Sequence, residues 1–354
     1  MKYSEDEDNL NRRALIKIAA FALMAAGIVS MSASCGKIQD MYIEHALRTR
    51  RDSGMLRDSG ALRVVLCGTG SPQANAKSSQ PCTLVIAGGE VFLFDAGENA
   101  TRAIEKSGVP VSAISRAFIT HWHSDHFSGL DGVINNSWIN GRREPFIVYG
   151  PEGADDVVRG FALAYRLDAR YRNAHFVEHP ELAFAAAKTV TVPAGEDGAT
   201  VYESGGIRIE TYRVDHHPVE NAVGYVLTYR GRKVFISGDT KVSPLYFRAM
   251  KDADLVVHEA VNTGIVKKAA RCMRTLNMNA EADQAERILE YHADTLELAA
   301  LAERAEVKHL ILTHLIPEPD SFLARRMFIQ GMGDIYHGKL TIGHDSMIID
   351  LPLP

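Results

Sequence analysis

"HWHSDH", residues 121–126, places four side chains of metal-liganding type, His121, His123, Asp125 and His126, within six positions. Either they gather around a metal or they are merely adjacent. The preceding "SRAFIT" (115–120) is strand-like. In an extended backbone alternate side chains share a face, so His121 and His123 can converge on one ion. "SDHFSGL" then reads as a helix start with Ser124 or Asp125 near its cap, which turns Asp125 and His126 back towards the same pocket. One ion would take the first two histidines and a second would take Asp125 and His126. Imidazole with carboxylate suits zinc, with manganese or iron as alternatives. With 14 His in 354 residues, a His-x-His-x-Asp-His string arises by chance in roughly one protein of this size in a thousand.

Two ions need more donors than one loop supplies. Three later stretches offer them: "VDHHPVENAVGY" with His216 or His217, "FISGDT" with Asp239 after a strand, and "HLILTHL" with His314 at another strand end. Singly, each reads equally well as a surface polar residue. Together they give each ion a third protein ligand, with Asp239 able to bridge both.

The composition, 46% hydrophobic and 23% charged, is that of a globular protein. The net charge of −5 argues against a general basic surface for nucleic acid, leaving room only for a local patch. At the N-terminus, "NRRALIKIAAFALMAAGIVSMSASC" sets Arg12 and Arg13 before an apolar run and then small residues. That is the order of an export signal, and the run is short for a membrane span. The arginine pair resembles a bacterial twin-arginine signal, and Cys35 after "SAS" is a candidate for lipidation. Residues 1–35 are therefore read as an export signal, 36–60 as a linker with a short helix, and 61–354 as one domain, in an exported, periplasmic or membrane-anchored protein. Cys35, Cys67, Cys82 and Cys272 form no CxxC pair, so no cysteine–zinc site is expected. Cys67 and Cys82 read as buried apolar groups.

From residue 61 strand-like runs interleave with helices. "ALRVVL", "CTLVIAGG" with "EVFLFDAG", "FIVYG", "GIRIETYRV", "AVGYVLTYR" with "RKVFIS", "ADLVVHE", "HLILTH" and "KLTIGHDSMIIDL" read as strands. "GADDVVRGFALAYRLDARY" and "AEADQAERILEYHADTLELAALAERA" read as helices. Several strands are too apolar to have a wet face, which places them in an α/β protein with helices covering the sheets. The stretch "GFALAYRLDARYRNAH" (160–175), continuing the first of these, is expected to be a helix covering the pocket, with Tyr165, Arg166, Tyr171, Arg172 and His175 apt for a charged or aromatic ester. Trp138 and Arg142 are read as packing and surface residues.

"GTGSP", Asp95 in "FLFDAG", "THWHSDHFSGL", "DHHPVENAVGY", "SGDT" and "LILTH" occur in the order that resembles the metallo-β-lactamase superfamily. "VVHEA", "YHADTLELA" and the closing "GHDSMIIDLP" resemble its branch of ribonuclease Z and arylsulfatase-like hydrolases. The resemblance implies an αββα sandwich of two mixed sheets flanked by helices. It implies one metal on His121, His123 and His216, a second on Asp125, His126 and His314, and Asp239 bridging. His216 is preferred to His217 because the branch places its ligand directly after an Asp, here Asp215. His292 matches a histidine that protonates the leaving group, Glu297 lies one residue beyond that pattern's glutamate, and Asp95 is implied as a hydrogen-bond acceptor behind the ligands. Ribonuclease Z in its common bacterial form carries a long arm that grips transfer RNA between "GY" and "SGDT". Here "VLTYRGRKVFI" leaves no room for it.

The expected function is hydrolysis of a phosphodiester or sulfate ester by a metal-bound hydroxide on two Zn2+, with Asp125 orienting the nucleophile and His292 as proton donor. His258 reads as a satisfied residue behind the site. The expected partner is a small anionic ester. Nucleic acid is disfavoured, a membrane is met only through the N-terminus, and a homodimer is left open. The alternatives are a ribonuclease Z-like endonuclease, a lactonase, or an envelope zinc-binding protein without turnover.

Overall fold

The fold is that of a computed structural model of the chain, described for residues 38–44, 54–57, 60–73, 76–176, 182–195 and 198–354. Residues 38–44 form one short exposed helix within a first unit that ends at Ser53, and a second unit spans Gly54–Pro354. The expected export signal and Cys35 lie outside the described residues. Among the described residues no helix is long and apolar enough to cross a membrane.

The second unit holds two seven-stranded sheets. The first runs in the order β14 (Met347–Pro352), β1 (Ala61–Gly68), β2 (Cys82–Ala87), β3 (Glu90–Phe94), β4 (Ile114–Phe118), β5 (Phe146–Gly150) and β6 (Ala187–Thr191). The second runs β13 (Lys339–Ile342), β12 (His309–Ile316), β11 (Leu255–Val261), β10 (Arg232–Ile236), β9 (Val223–Tyr229), β8 (Ile207–Arg213) and β7 (Ala199–Ser204). Each sheet is mixed. The pairs from β14 to β3 are antiparallel and those from β3 to β6 parallel. The pairs from β7 to β10 are antiparallel and those from β10 to β13 parallel.

Alternation along the strands explains the layers. In β1, Leu62, Val64 and Leu66 face the other sheet and join Phe92, Phe94 and Phe118 of their own sheet and Tyr225 and Leu227 of the opposite one in the core between them. Val65 and Cys67 point the other way, into a core closed by the helices Ala100–Lys106 and Leu130–Ile139. The second sheet packs its outer face on Leu298, Ala299 and Ala302 of the helix Thr295–Arg304. Buried on both faces, these strands can be almost continuously apolar, and the architecture is the expected αββα sandwich. Phe118 is its aromatic hinge pin, stacked on Tyr149 at 4.5 Å and on Phe94 at 5.2 Å. Cys67 and Cys82 are buried free thiols.

Two helical expectations need correction. The stretch 154–175 is broken at Tyr165 into Ala154–Ala164 and Arg166–His175. The stretch 280–305 is interrupted between Arg287 and Thr295. Val261 N–H donates to the Ala293 carbonyl at 2.7 Å, and Asp294 accepts from the backbone N–H groups of Leu296 and Glu297 as an N-cap. A tertiary backbone contact plus a cap outweighs helix propensity here, and it puts His292 in a turn. "KLTIGHDSMIIDL" likewise divides into β13 and β14, which belong to different sheets.

Candidate metal centre

The site lies where strands of both sheets end. From the first sheet, β4 runs through Ile119 and Thr120 into His121, and His123, one residue before the expected Ser124, holds the N-cap position of the short helix Ser124–Phe127 that carries Asp125 and His126. From the second sheet, His216 follows β8, Asp239 follows β10, and His314 lies within β12. Val223 N–H donates to the Thr120 carbonyl at 3.0 Å and Tyr225 Oη to that of Ile119 at 2.8 Å, fixing the two sheets together just behind the histidines. Gly238 has φ 61°, and a Cβ there would stand 2.6 Å from Thr120 Cβ, so "SGDT" needs glycine at that position.

The side chains form two groups that share Asp239. His121, His123, His216 and Asp239 offer ligand atoms all within 4.8 Å of one another, and so do Asp125, His126, His314 and Asp239. Asp239 stands 3.9 Å from His121 and 3.8 Å from His216 on one side, and 3.2 Å from His126 and 3.4 Å from His314 on the other. His126 Nε2 and His314 Nε2 lie 3.5 and 3.2 Å from Asp125. His217 is exposed and stays outside both groups.

The surroundings fix the rings. His126 Nδ1–H donates to Asp95 at 2.8 Å, and Asp95 also accepts from Thr120 N–H at 2.8 Å. His216 Nδ1–H donates to the Tyr291 carbonyl at 3.0 Å. Each such bond leaves Nε2 as the free donor atom. Burial, joined by neighbouring imidazoles, holds His121 well below the ordinary histidine pKa, and burial lowers His123 and His216 too. The neutral ring is the metal-binding form. For Asp239, burial pushes the carboxyl up, but His314 and His126 outweigh it and hold it well below the usual range.

This arrangement fits a metal pair. Among the described residues, His121 Nε2, His126 Nε2, Asp239 Oδ1 and His314 Nδ1 are buried without a hydrogen-bond partner. Three of them are ligand-type atoms of the groups just named. Orphaned polar atoms are costly in a protein interior unless something binds them.

One residue of the site was not assigned from the sequence. Glu259 accepts from His292 Nδ1–H at 2.7 Å and, through the same oxygen, from Thr240 N–H at 2.9 Å. Burial disfavours a charged His292, yet the Glu259 carboxylate overrides it and raises His292 to about 9. The sequence signal is the "HEA" of β11, in which His258 rather than Glu259 has the chemistry that draws a role. That ring is buried behind the site, between the Glu259 carbonyl (2.7 Å) and Tyr246 Oη (3.2 Å).

The expected specificity helix is elsewhere. Tyr165 and Arg166 border a separate cavity of about 150 Å3 with Ile134, Val158 and Phe161, and none of the metal-ligand candidates lines it. Tyr165 Oη donates to Asp131, Arg172 pairs with Asp168, and Tyr171 is exposed. His175, at the end of the same helix, is likewise no part of the centre. Trp138 is core as expected, whereas Arg142 is buried, donating to the carbonyls of Ile134 at 3.2 Å and Phe184 at 2.7 Å. It ties the loop after Leu130–Ile139 to the chain near residue 184.

Comparison with known proteins agrees with this geometry. Residues 62–322 match the family described as Anti-Pycsar protein Apyc1. A ribonuclease Z of Mycobacterium marinum is 32% identical over 259 residues, covering 72% of this chain and 87% of that protein. The chain belongs to the Anti-Pycsar protein Apyc1 family, on the ribonuclease Z branch of the metallo-β-lactamase superfamily. It is a hydrolase of that superfamily. Two solved structures share the superfamily fold. The metallo-β-lactamase fold protein YhfI of Bacillus subtilis has TM-score 0.60 and 14% identity, covering 82% of this chain and 99% of that one. Human tRNase Z, short form, has TM-score 0.59 and 23% identity, with the same coverage.

Proposed function

We propose that the protein is a dinuclear metal-dependent phosphodiesterase, and that RNA is its substrate class. The observation that carries the first part is the pair of four-residue groups hinged on Asp239. His121, His123 and His216 would hold one ion, Asp125, His126 and His314 the other, with Asp239 between them. Two bound cations, zinc for this donor set, would supply an activated water and neutralise charge on the phosphoryl oxygens. Asp125 would orient the attacking water. His292, kept protonated by Glu259 and lining the open cleft beside the centre, would give its proton to the leaving oxygen.

The ribonuclease Z similarity, spanning most of both chains, supports RNA over the small anionic ester expected first, and nothing supports a sulfate ester. A small phosphodiester is the second reading. The turn joining β9 to β10 is only Arg230–Gly231, so no arm for transfer RNA stands there, and the matched family is named for opposition to Pycsar.

The test is the zinc-loaded protein assayed on an RNA with a 3′ extension, a cyclic mononucleotide, bis(p-nitrophenyl) phosphate and p-nitrophenyl sulfate. RNA cleavage supports the first reading. Turnover of the small phosphodiesters without RNA cleavage moves the substrate to the second. Two metals bound with no phosphodiester cleaved sinks both.

A further inference from the structure

Beside the metal centre opens a cleft of about 720 Å3 that His292 shares with the helix Thr263–Thr275. This helix buries Val266 and Ala270 and turns Lys267 and Arg271 into the cleft. Four residues apart, the two cations lie on one helical face. Both are exposed, and among the described residues neither side chain has an ion-pair or hydrogen-bond partner.

The other charges of the cleft are mostly engaged. Lys241 pairs with Asp215 at 3.1 Å. Glu286 is held by Arg274 at 3.0 Å, and Asp294 by the helix N–H groups it caps. Glu297 is the acid left over. Lys267 and Arg271 are therefore the cations of the cleft that no acid holds, side by side on one helix, although the chain as a whole carries −5. A guanidinium and an ammonium one helical turn apart suit the oxygens of one phosphate or of two neighbouring ones.

We propose that Lys267 and Arg271 form a subsite for a further phosphate of a polynucleotide, on the His292 side of the metal centre. The proposal rests on the phosphodiesterase reading and narrows it, because a substrate with a single phosphate has nothing to place there. It also supplies a grip for a chain whose β9–β10 turn carries no arm.

The test uses the zinc-loaded full chain and the double variant Lys267→Gln/Arg271→Gln, with Lys268→Gln, a neighbour that does not line the cleft, as control. Binding of a short fluorescein-labelled phosphorothioate RNA is followed by anisotropy across a salt series. The double variant is expected to bind about tenfold more weakly. Its slope of log K against log salt should flatten by about 1.4, two contacts at roughly 0.7 each for a single strand. The ratio of kcat/KM on RNA to that on bis(p-nitrophenyl) phosphate should fall about as much, while Lys268→Gln matches wild type. An unchanged affinity and slope, or a wild type that does not bind the oligonucleotide, overturns the subsite. Turnover of the small diester in the same samples decides the phosphodiesterase reading separately.

Discussion

Glu259→Gln isolates the role of one buried carboxylate. The amide oxygen can still accept from Thr240 N–H and stand beside His292, so the shape is kept and the charge is lost. Glu259 is what lifts His292 from the ordinary value of 6.5 to about 9 against the pull of burial, a span of roughly 3 kcal/mol. A histidine with a raised pKa is protonated below its ordinary value and loses its proton only as pH rises through about 9. Near pH 8 the wild-type ring is then mostly protonated. In the variant burial still lowers the ring and Asp239 still raises it; with these two offsetting one another it returns to its ordinary value, and only about 3% keeps the proton. The expected loss in kcat near pH 8 is about thirtyfold for a substrate with an alkoxide leaving group, and less than twofold near pH 6. A p-nitrophenoxide leaving group needs no proton, so on bis(p-nitrophenyl) phosphate the loss should be small at both pH values. Full pH–rate profiles on an RNA and on the nitrophenyl diester make the measurement. An equal loss at both pH values, or on both leaving groups, would show that Glu259 only braces the fold.

Removing the shared carboxylate in Asp239→Ala is expected to leave the protein folded by circular dichroism but with fewer than two metals per chain by elemental analysis. Asp95→Ala frees the ring of His126 and should weaken metal affinity about 10- to 100-fold, read by competition with a chromogenic chelator. Phe118→Ala opens a hole between the sheets and should cost about 3–5 kcal/mol in denaturant unfolding. Residues 1–35 fused to a folded reporter should direct it out of the cytoplasm, and Arg12→Lys/Arg13→Lys should abolish that transfer, as followed by cell fractionation.

The groups that would grip a metal were legible because their chemistry leaves few substitutes: besides thiolate, imidazole and carboxylate are the side chains that serve, so spacing exposes His121, His123, Asp125 and His126. Asp239 and His314 were legible for a second reason, since each is a polar residue near the end of an apolar strand, Asp239 just past β10 and His314 two residues before the end of β12. Glu259 was not assigned because a single acid inside the apolar β11 carries no pattern of its own. Its meaning comes from His292, 33 positions away. β6 and β7 went unread because each is the far edge of its sheet, paired on one side only and half exposed. Such strands need little apolar alternation. The Arg166–His175 helix was recognised as helical, but no sequence signal says which side of a sandwich a helix will cover.

The candidate ligands divide by origin: four from the loop after β4, three from ends of the opposite sheet. Half a sandwich would offer each cation two donors at most, too few to retain it. Were the centre to take up its metals, it would do so only once both halves had met, and a loaded centre would report a closed sandwich. Chelation, in turn, should unlatch the seam between them before it disturbs either layer.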